Sequence, residues 1–531
     1  MCALRVNHIF DLPEDLLQHI ISFLPLSDRK SASLVCSVWR DQAFSFTSMD
    51  CVKLCVKELM VENRDFDVLL KTTRRYRHLV LTFGHRPCNN LDLARVMKLV
   101  ARLGDSIQSF ILLSDCTAVQ LQQFLIHFPK LKLIMANIID ADNEAAENEQ
   151  FPVMEYLKEI RARSKTLKDL WPAAPNIRRL SVHFSNRENS LNQSLDIMAR
   201  YGPQLQFLEL CASFIRVRFD QFNLGQLQSL KLWNVNTDRD EELLCKMFEK
   251  LPLLRTAFLH FSLSADLLRV ICSECPRLVK LRIRADKLDG DSVRYVNKLK
   301  GLRVLFVDGH MKSDFLDDCS VMNSVEYFSL SKNPLVNDGV PIDRLSNVFP
   351  KLRILRMDLS YGLKMNEMLA WNICDSFEHL KCLIIDGMHM CTFGTIEEVS
   401  PLAFLQLMQM TSLEELTLSC MRWNTNRALR QVHFECLFTS LFHEHFENCN
   451  GEGRPSNVRR LTLKNCYRMT GDSLPIVVRR FPKLRYLEIG RCRMLLKEDA
   501  HEDSIRQSLP DCEVRIVGWE RLNGPIIRSV D

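Results

Sequence analysis

Long apolar runs are missing from the sequence, which has no stretch of about 18 apolar residues such as a membrane-spanning helix requires. Only 17 glycines and 19 prolines occur in 531 residues, which excludes collagen-like chains and chains dominated by flexible linkers. Neither sign of charge dominates, because 70 basic residues stand against 65 acidic ones. Such a balance does not by itself indicate a nucleic-acid partner. The remaining composition, 47% apolar and 25% charged, is typical of a globular protein.

The length of 531 residues exceeds what one compact core usually holds. It predicts several domains or one long repeat array. The N-terminus does not resemble a secretory signal, because Asp11, Glu14 and Asp15 precede any long apolar core. The 20 cysteines are scattered through apolar segments. Without a signal, they are expected to be free and mostly buried thiols in a reducing compartment, so we expect a cytoplasmic or nuclear location.

The first 50 residues predict a small helical module. Pro13 suits the first position of a helix, and Glu14 and Asp15 favour the dipole of its first turn. A broad apolar face follows at helical spacing, formed by Leu16, Leu17, Ile20, Ile21 and Leu24.

Pro25 is expected to end this helix. Ser27 and Asp28 can cap the next one, which carries Leu34, Val35, Val38 and Trp39. So small a module rarely buries enough surface to be stable alone. Its apolar face therefore either packs on the rest of the chain or docks a partner helix.

The order and spacing of these residues from Leu12 to Arg40 resemble the F-box motif. The residues that carry the resemblance are Leu12-Pro13-Glu14, Leu16-Leu17, Ile20, Phe23-Leu24-Pro25-Leu26, Asp28, Leu34-Val35-Cys36 and Trp39-Arg40. The resemblance implies that this module binds a Skp-type adaptor and, through it, a cullin–RING ubiquitin ligase. By position, the adaptor contacts would be Leu12, Pro13, Leu16, Ile20, Leu24, Pro25, Val35 and Trp39. Some of these could instead form the internal core, and Phe44 and Phe46 leave the end of the module open.

A pattern of apolar–x–x–apolar–x–apolar recurs between residues 76 and 517. Its first apolar residues from Ile177 to Leu352 are separated by seven steps that cover 175 residues, a period of 25. This period lies in the range of leucine-rich repeats, about 20–29 residues, in which a short strand is followed by a helical return. Clear members include Leu278-Leu281-Ile283, Leu352-Leu355-Met357 and Leu484-Leu487-Ile489.

Proline supports the repeat assignment. It stands two residues before the first apolar position in several repeats, and Phe-Pro-Lys-Leu occurs three times, at Phe128, Phe349 and Phe481. Proline ends a helix and starts an extended segment. The repeat after Val458, with Cys466 and then Cys492 one period later, resembles the cysteine-containing repeats of F-box/leucine-rich-repeat proteins.

The predicted fold is α/β, with a small three-helix F-box module at 8–54 and a leucine-rich-repeat solenoid at 55–517. Parallel strands would line the concave face, with helices outside and about 14 to 17 repeats. A C-terminal tail would follow at 518–531. Two insertions are expected, near 137–157 and 419–457. The first contains an acidic run from Asp140 to Glu149, and the second a loop from His443 to Asn457; each is either a recognition loop or a solvated segment.

Catalytic and metal-binding signatures are missing from the sequence. Cys272-x-x-Cys275 is its only C-x-x-C, whereas a zinc site needs further Cys/His pairs. His443-Glu444-His445 lacks the spacing of a zincin helix, and no phosphate-binding loop or nucleophile elbow is present. We therefore expect a non-catalytic chain without a cofactor or a metal.

Strand residues that flank the central apolar position are expected to face the open side of the solenoid. The candidate target-binding residues are Trp233, Arg282, Arg284, Arg356, Arg460 and Lys464. Between Arg454 and Lys497, 12 basic residues stand against Asp472 and Glu488. Such a region favours an acidic or phosphorylated ligand, although these side chains could equally be a solvated surface.

The resemblance implies a substrate-recognition subunit of a Skp–cullin–F-box type ubiquitin ligase, whose F-box docks the adaptor and whose repeats hold a protein target. The alternative is a repeat scaffold whose F-box serves a complex without ubiquitin transfer. A nucleic-acid binder is a weaker third class, because the basic end has no recognised binding motif. No membrane partner is expected.

Overall fold

The computed structural model describes residues 12–45, 48–50, 52–61, 64–83, 90–138, 151–164, 170, 172–183, 201–211, 223–235, 237–309, 316, 319–331, 342–358, 367–386, 398–399, 406–407, 409–419, 422–423, 456–464, 481–490, 506–507 and 509–517. The chain divides into two compact units, Met1–Leu227 and Gln228–Asp531. The acidic run, most of the loop after His443, Phe46, Cys466, Cys492 and the tail at 518–531 lie outside the described residues.

The N-terminal module consists of α1 (Glu14–Ser22), α2 (Leu26–Ala32) and α3 (Ser37–Ala43). Its core is formed by Leu17, Ile21 and Ala43, with Trp39 and Phe44 packed against it. The three predicted helices are therefore present.

Two details of these helices differ from the sequence prediction. Pro13 precedes α1 instead of being its first residue, and its carbonyl accepts the N–H groups of Leu16 and Leu17 at 3.0 and 3.1 Å. The second predicted helix is divided between α2 and α3, so Leu34 and Val35 lie in the turn between them. Cys36 then caps α3, because its Sγ accepts the N–H of Trp39 at 3.5 Å.

In the rest of the first unit, the described residues form seven parallel strands, each paired with the next. They are β1 (Lys53–Lys57), β2 (His78–Thr82), β3 (Ser109–Cys116), β4 (Leu133–Ile138), β5 (Glu159–Ser164), β6 (Arg179–His183) and β7 (Phe207–Cys211). The helices are α4 (Glu58–Val61), α5 (Arg64–Leu70), α6 (Asn90–Leu103) and α7 (Ala118–Leu125), with 3₁₀ turns at Gly104–Ser106 and Gly202–Gln204.

Where the structure describes the second unit, it forms a parallel sheet of eleven strands in chain order. These are β8 (Ser229–Trp233), β9 (Thr256–Ser262), β10 (Lys280–Arg284), β11 (Val304–Asp308), β12 (Tyr327–Ser331), β13 (Ile354–Asp358), β14 (Cys382–Asp386), β16 (Glu415–Ser419), β18 (Arg460–Lys464), β19 (Tyr486–Gly490) and β20 (Glu513–Val517). Two short strands, β15 (Glu398–Val399) and β17 (Arg422–Trp423), pair separately.

The described helices of the second unit are α8 (Thr237–Phe248), α9 (Ala265–Glu274), α10 (Gly290–Val293), α11 (Ile342–Val348) and α12 (Glu367–Ser376), with a 3₁₀ helix at Arg294–Lys298. No helix in the described part of the chain combines the length and hydropathy needed to cross a membrane.

Apolar alternation explains why these strands form. In β10, Leu281 and Ile283 are buried while Lys280 and Arg284 are exposed, and Leu278 just before the strand is also buried. The same three apolar positions recur in strand after strand, so each repeat contributes one layer to a continuous core.

In the Phe-Pro-Lys-Leu repeats, a turn that contains the proline precedes the strand. The N–H of Leu352 donates to the carbonyl of Phe349 at 3.1 Å, and Leu484 does the same to Phe481 at 3.0 Å. Pro350 and Pro482 therefore occupy the second position of a β-turn, which their fixed φ favours.

The cysteines differ from the expectation that most are buried. Of the eleven described cysteines, Cys116, Cys272 and Cys275 are buried, seven are half-buried and Cys55 is exposed. None of these eleven forms a disulfide. Cys272 lies in α9 and Cys275 directly after it, and burial raises the pKa of both thiols to about 12. Within the described residues, no group of three or more His, Cys, Asp or Glu side chains is arranged to hold a metal.

Candidate functional site

The N-terminal module presents an apolar face to solvent. Leu17 and Ile21 are buried in its core, whereas Leu16 and Ile20 on the same helix are 51% and 45% exposed. Among the described residues of the module, the exposed large apolar side chains are Leu16, Ile20, Phe23, Leu26, Leu34, Val35 and Val38. So many exposed large apolar side chains on one small module indicate an interaction site.

The structure divides the predicted adaptor contacts into two groups. Pro13, Leu16, Ile20, Pro25 and Val35 are exposed, while Leu12, Leu24 and Trp39 are half-buried. Trp39 packs against the internal core. Four exposed apolar residues were absent from the predicted contact set: Phe23, Leu26, Leu34 and Val38. Their apolar character within the F-box-like spacing was the available signal.

Polar contacts hold the module together. The guanidinium of Arg29 donates to the carbonyls of Leu24 at 2.8 Å and Ser22 at 2.7 Å, and also to that of Ser48. One arginine thus joins the end of α1 to the chain that follows α3.

Further contacts fix the module against the start of β2. Arg77 pairs with Asp50 at 2.7 Å, and the ring of His78 contacts the carbonyl of Asp50 at 2.7 Å. The guanidinium of Arg74 lies 3.6 Å from the ring centroid of Phe44. The apolar face is therefore held in a defined orientation to the first strands.

The second unit presents alternate side chains of β8–β19 outward, on what we call the strand face. Arg282 makes a two-pronged ion pair with Asp308 of the next strand, at 2.6 and 3.1 Å. Ser331 of the strand after that donates to the same carboxylate. Arg284 pairs with Asp286. These cations of the predicted target site already have carboxylate partners.

Further along the strand face, another cation of the predicted target site also has a carboxylate partner. Arg356 pairs with Asp386 at 2.7 Å and contacts Tyr327. Burial would lower the pKa of Arg356, but the Asp386 charge and the Tyr327 contact outweigh it and raise that pKa.

At the C-terminal strands, Arg460 lies 3.9 Å from Glu415 and 4.1 Å from the ring centroid of Tyr486. Lys464 pairs with Glu488 at 3.0 Å, and the hydroxyl of Tyr486 donates to the same carboxylate at 2.7 Å. Burial would raise the pKa of Glu488, but these two hydrogen bonds outweigh it and lower the pKa. Glu488 therefore stays charged beside Lys464.

Aromatic rings occupy the first strands of the strand face. Trp233 stacks on His260 with ring centroids 3.4 Å apart and planes within 5°. Phe306 contacts Phe258 and Tyr327, with centroids 5.7 and 5.1 Å apart. Of these rings, the candidate target-binding residues predicted from the sequence include only Trp233. His260, Phe258 and Phe306 were not among them, although they alternate with buried residues in β9 and β11.

The basic excess between Arg454 and Lys497 is only partly described. Arg459, Arg460, Lys464, Lys483 and Arg485 belong to the described residues, and the other seven lie outside them. The structure therefore locates five of the twelve cations.

Comparison with known proteins gives one family match and several structural likenesses. The F-box-like family model matches residues 9–48. No curated protein matches the sequence.

Similar solved structures include a TLR13–ssRNA13 complex, with 13% identity, coverage of 83% of this chain and 60% of that chain, and a TM-score of 0.44. They also include an internalin from Listeria monocytogenes (14% identity, 74% and 88% coverage, TM-score 0.34). A third is the yeast Rad7–Elc1 complex (14% identity, 93% and 96% coverage, TM-score 0.35). This chain thus spans 60% of the first of these.

The family match coincides with α1–α3 and their exposed apolar face. The repeat period and the parallel strands account for the remainder of the described fold. The chain therefore carries an F-box-like segment at residues 9–48, followed by a leucine-rich-repeat fold.

Proposed function

We propose that this protein is the substrate-recognition subunit of a Skp–cullin–F-box type ubiquitin ligase. The observation that carries the proposal is the F-box-like segment at 9–48, whose apolar face remains exposed although the segment has its own core. The face would dock a Skp-type adaptor, and the repeats would hold a target protein. The chain itself would perform no chemistry, because tethering a target lysine near activated ubiquitin raises its effective concentration.

The proposed adaptor surface joins the predicted residues to the exposed ones that prediction missed. Its contacts would be Leu12, Pro13, Leu16, Ile20, Leu24, Pro25 and Val35, extended by Phe23, Leu26, Leu34 and Val38. Trp39 would support this surface from beneath, since it packs on the core of the module. A cluster of apolar anchors surrounded by polar groups is typical of a binding hot spot.

The experiment that tests the function is reconstitution with a Skp-type adaptor and a cullin. We expect the adaptor and the cullin to co-purify with the full chain, and a captured protein to receive ubiquitin only when both are present. If the adaptor binds but the cullin never co-purifies, the alternative applies, and the chain is a repeat scaffold without ubiquitin transfer. If the adaptor itself does not bind, both versions are wrong.

The proposed target surface is the strand face, with Trp233, Arg282, Arg284, Arg356, Arg460 and Lys464 as candidate contacts. Its cations are paired with carboxylates of the same sheet, so it offers both signs of charge beside aromatic rings. Such a surface favours a folded or aromatic-rich protein partner over a purely anionic one.

Truncating Trp233 to alanine should weaken target capture by about tenfold or more, because aromatic anchors dominate such interfaces. Proximity labelling with and without proteasome inhibition identifies the target, and titration of that purified target measures the loss. Arg269→Ala is the matched control, since Arg269 is half-exposed on α9 and pairs only with Asp266 at 3.2 Å. Equal capture by the Trp233 variant and wild type would exclude this part of the strand face.

A further inference from the structure

An open groove of about 600 Å³ lies beside the starts of β13, β14, β16, β18 and β19 in the second unit. Its cations are Lys351, Arg353, Lys381, Arg459 and Lys483, and its acids are Glu378 and Glu414. Five cations against two acids leave a net formal charge of +3. The groove lies at the edge where strands begin and is distinct from the strand face, whose residues belong to the strands themselves.

The repeat itself places these cations in two rows. Lys351 and Lys483 are the third residues of equivalent Phe-Pro-Lys-Leu turns. Arg353, Lys381 and Arg459 belong to a second row, in which each backbone N–H donates to the carbonyl of the preceding repeat. The bonds Lys381 to Arg353, Glu414 to Lys381 and Arg459 to Glu414 measure 2.8, 2.8 and 2.7 Å. Successive positions in a row are therefore one strand spacing apart, about 4.8 Å.

Only part of this charge is compensated locally. Lys381 pairs with Glu414 at 2.8 Å, and Lys483 contacts the side-chain oxygen of Asn457 at 2.5 Å. Among the described residues, Lys351, Arg353 and Arg459 have no carboxylate within ion-pair distance. The cations on the strand face differ, because Arg282, Arg356 and Lys464 are paired with carboxylates.

The pKa of Glu414 reflects the positive charges that surround it in the groove. Its pKa lies below the ordinary value, first because Lys381 donates a hydrogen bond to it and further because of the charges of Lys381, Arg459 and Arg353. Slight burial opposes this shift. The groove thus favours the charged form of a half-buried carboxylate.

We propose that this groove binds a short anionic polypeptide segment, one that carries phosphates or clustered carboxylates. Arg353 and Arg459 would provide charge-assisted hydrogen bonds to these groups, and Lys351 and Lys483 would attract them as point charges. Five adjacent strands span about 19 Å, which matches roughly six residues of extended peptide. The sequence predicted an acidic or phosphorylated ligand for the region between Arg454 and Lys497, to which Arg459 and Lys483 of this groove belong.

The lining favours a polypeptide over a nucleic acid. Single-stranded nucleic acids are held largely by bases stacked on aromatic side chains. The groove is lined by no Phe, Tyr or Trp within the described residues, and His379 is its one ring. The proposal deepens the proposed function. It rests on that function in one respect only, that the bound segment belongs to a target protein.

Fluorescence anisotropy with the full chain and no adaptor tests the groove directly. The probes are a labelled six-residue peptide with two phosphoserines, the same peptide with aspartates, the same peptide with unmodified serines, and a single-stranded oligonucleotide of matched charge. We expect the phosphorylated or aspartate peptide to bind, and binding to weaken as salt rises. Neutralising the site with Arg353→Gln and Arg459→Gln should reduce affinity about tenfold or more.

Arg303→Gln is the matched control. Arg303 holds the same repeat position before β11, outside the groove, and is already paired with Glu326 at 2.8 Å; its loss should change affinity less than about twofold. The proposal would be overturned if the serine peptide bound as tightly as the anionic peptides. It would also be overturned if the affinity of the wild-type chain did not fall as salt rises, or if the double variant bound the anionic peptides as tightly as wild type. If the oligonucleotide bound more tightly than the phosphopeptide, and the phosphopeptide could not displace it, the groove would be a nucleic-acid site instead. The double variant should still capture the adaptor, so failure of the groove leaves the test of the ligase function intact.

Discussion

Replacing Ile20 by aspartate should abolish capture of the Skp-type adaptor. Ile20 is 45% exposed on α1, one turn from exposed Leu16, while Leu17 and Ile21 on the adjoining part of the same apolar band are buried in the core. Truncation of a central interface anchor costs roughly 2–4 kcal/mol, or about 30- to 1,000-fold in affinity. A carboxylate adds the cost of burying an unpaired charge, so the loss should reach at least this range.

Adaptor binding by the purified full chain measures this effect, together with circular dichroism to establish that the fold is retained. Val68→Asp is the matched control, because Val68 is also an exposed aliphatic residue of the same unit but lies on α5, away from the module. It should bind the adaptor as wild type does. Undiminished capture by a natively folded Ile20→Asp variant would remove the apolar face from the adaptor interface.

The helical module illustrates how far sequence alone could reach. The F-box spacing predicted its position, and the family match at 9–48 confirms it. The division between core and exposed surface could not be predicted, because Leu16, Leu17, Ile20 and Ile21 form one broad apolar band. Only the docking of α3, through Ala43 and Trp39, decides which pair is covered.

The repeats were predictable where leucine fills the pattern and less so elsewhere. Strands β4 and β5 carry a weak form of the pattern, because Ala136 and Ala162 stand at buried positions where it expects a larger side chain. Strand β20 also departs from it, because Asp511 occupies the first position of the pattern, two residues before the strand begins. A strand with a small or polar residue at one position of the pattern still forms, because it packs against the neighbouring repeats of the sheet.

Charge pairing on the strand face could not be predicted, because it depends on the register between strands. Arg282 and Asp308 are far apart in sequence, and they meet because β10 and β11 pair so that Arg284 lies opposite Asp308. A shift of one residue would reverse which side chains face outward. Within the part of the chain that the structure describes, Arg353 before β13 and Arg459 before β18 meet no such carboxylate, and this distinguishes the groove from the strand face.

Replacing Phe349 by alanine should destabilise the second unit by roughly 3–5 kcal/mol, the usual cost of removing a buried phenylalanine. Phe349 is 1% exposed, stacks on Phe328 with centroids 5.1 Å apart, and its carbonyl closes the turn before β13. Urea unfolding measures the loss.

Phe349→Leu should cost distinctly less because leucine fills more of the cavity than alanine does. Lys351→Ala in the same turn should change the free energy of unfolding by about 0.5 kcal/mol or less. Repeats interact mainly with their neighbours, and the adaptor face lies in Met1–Leu227, so Phe349→Ala should still capture the adaptor in dilute buffer. An unchanged unfolding midpoint would show that the phenylalanine layer of the Phe-Pro-Lys-Leu turns does not support the sheet on which the groove is built.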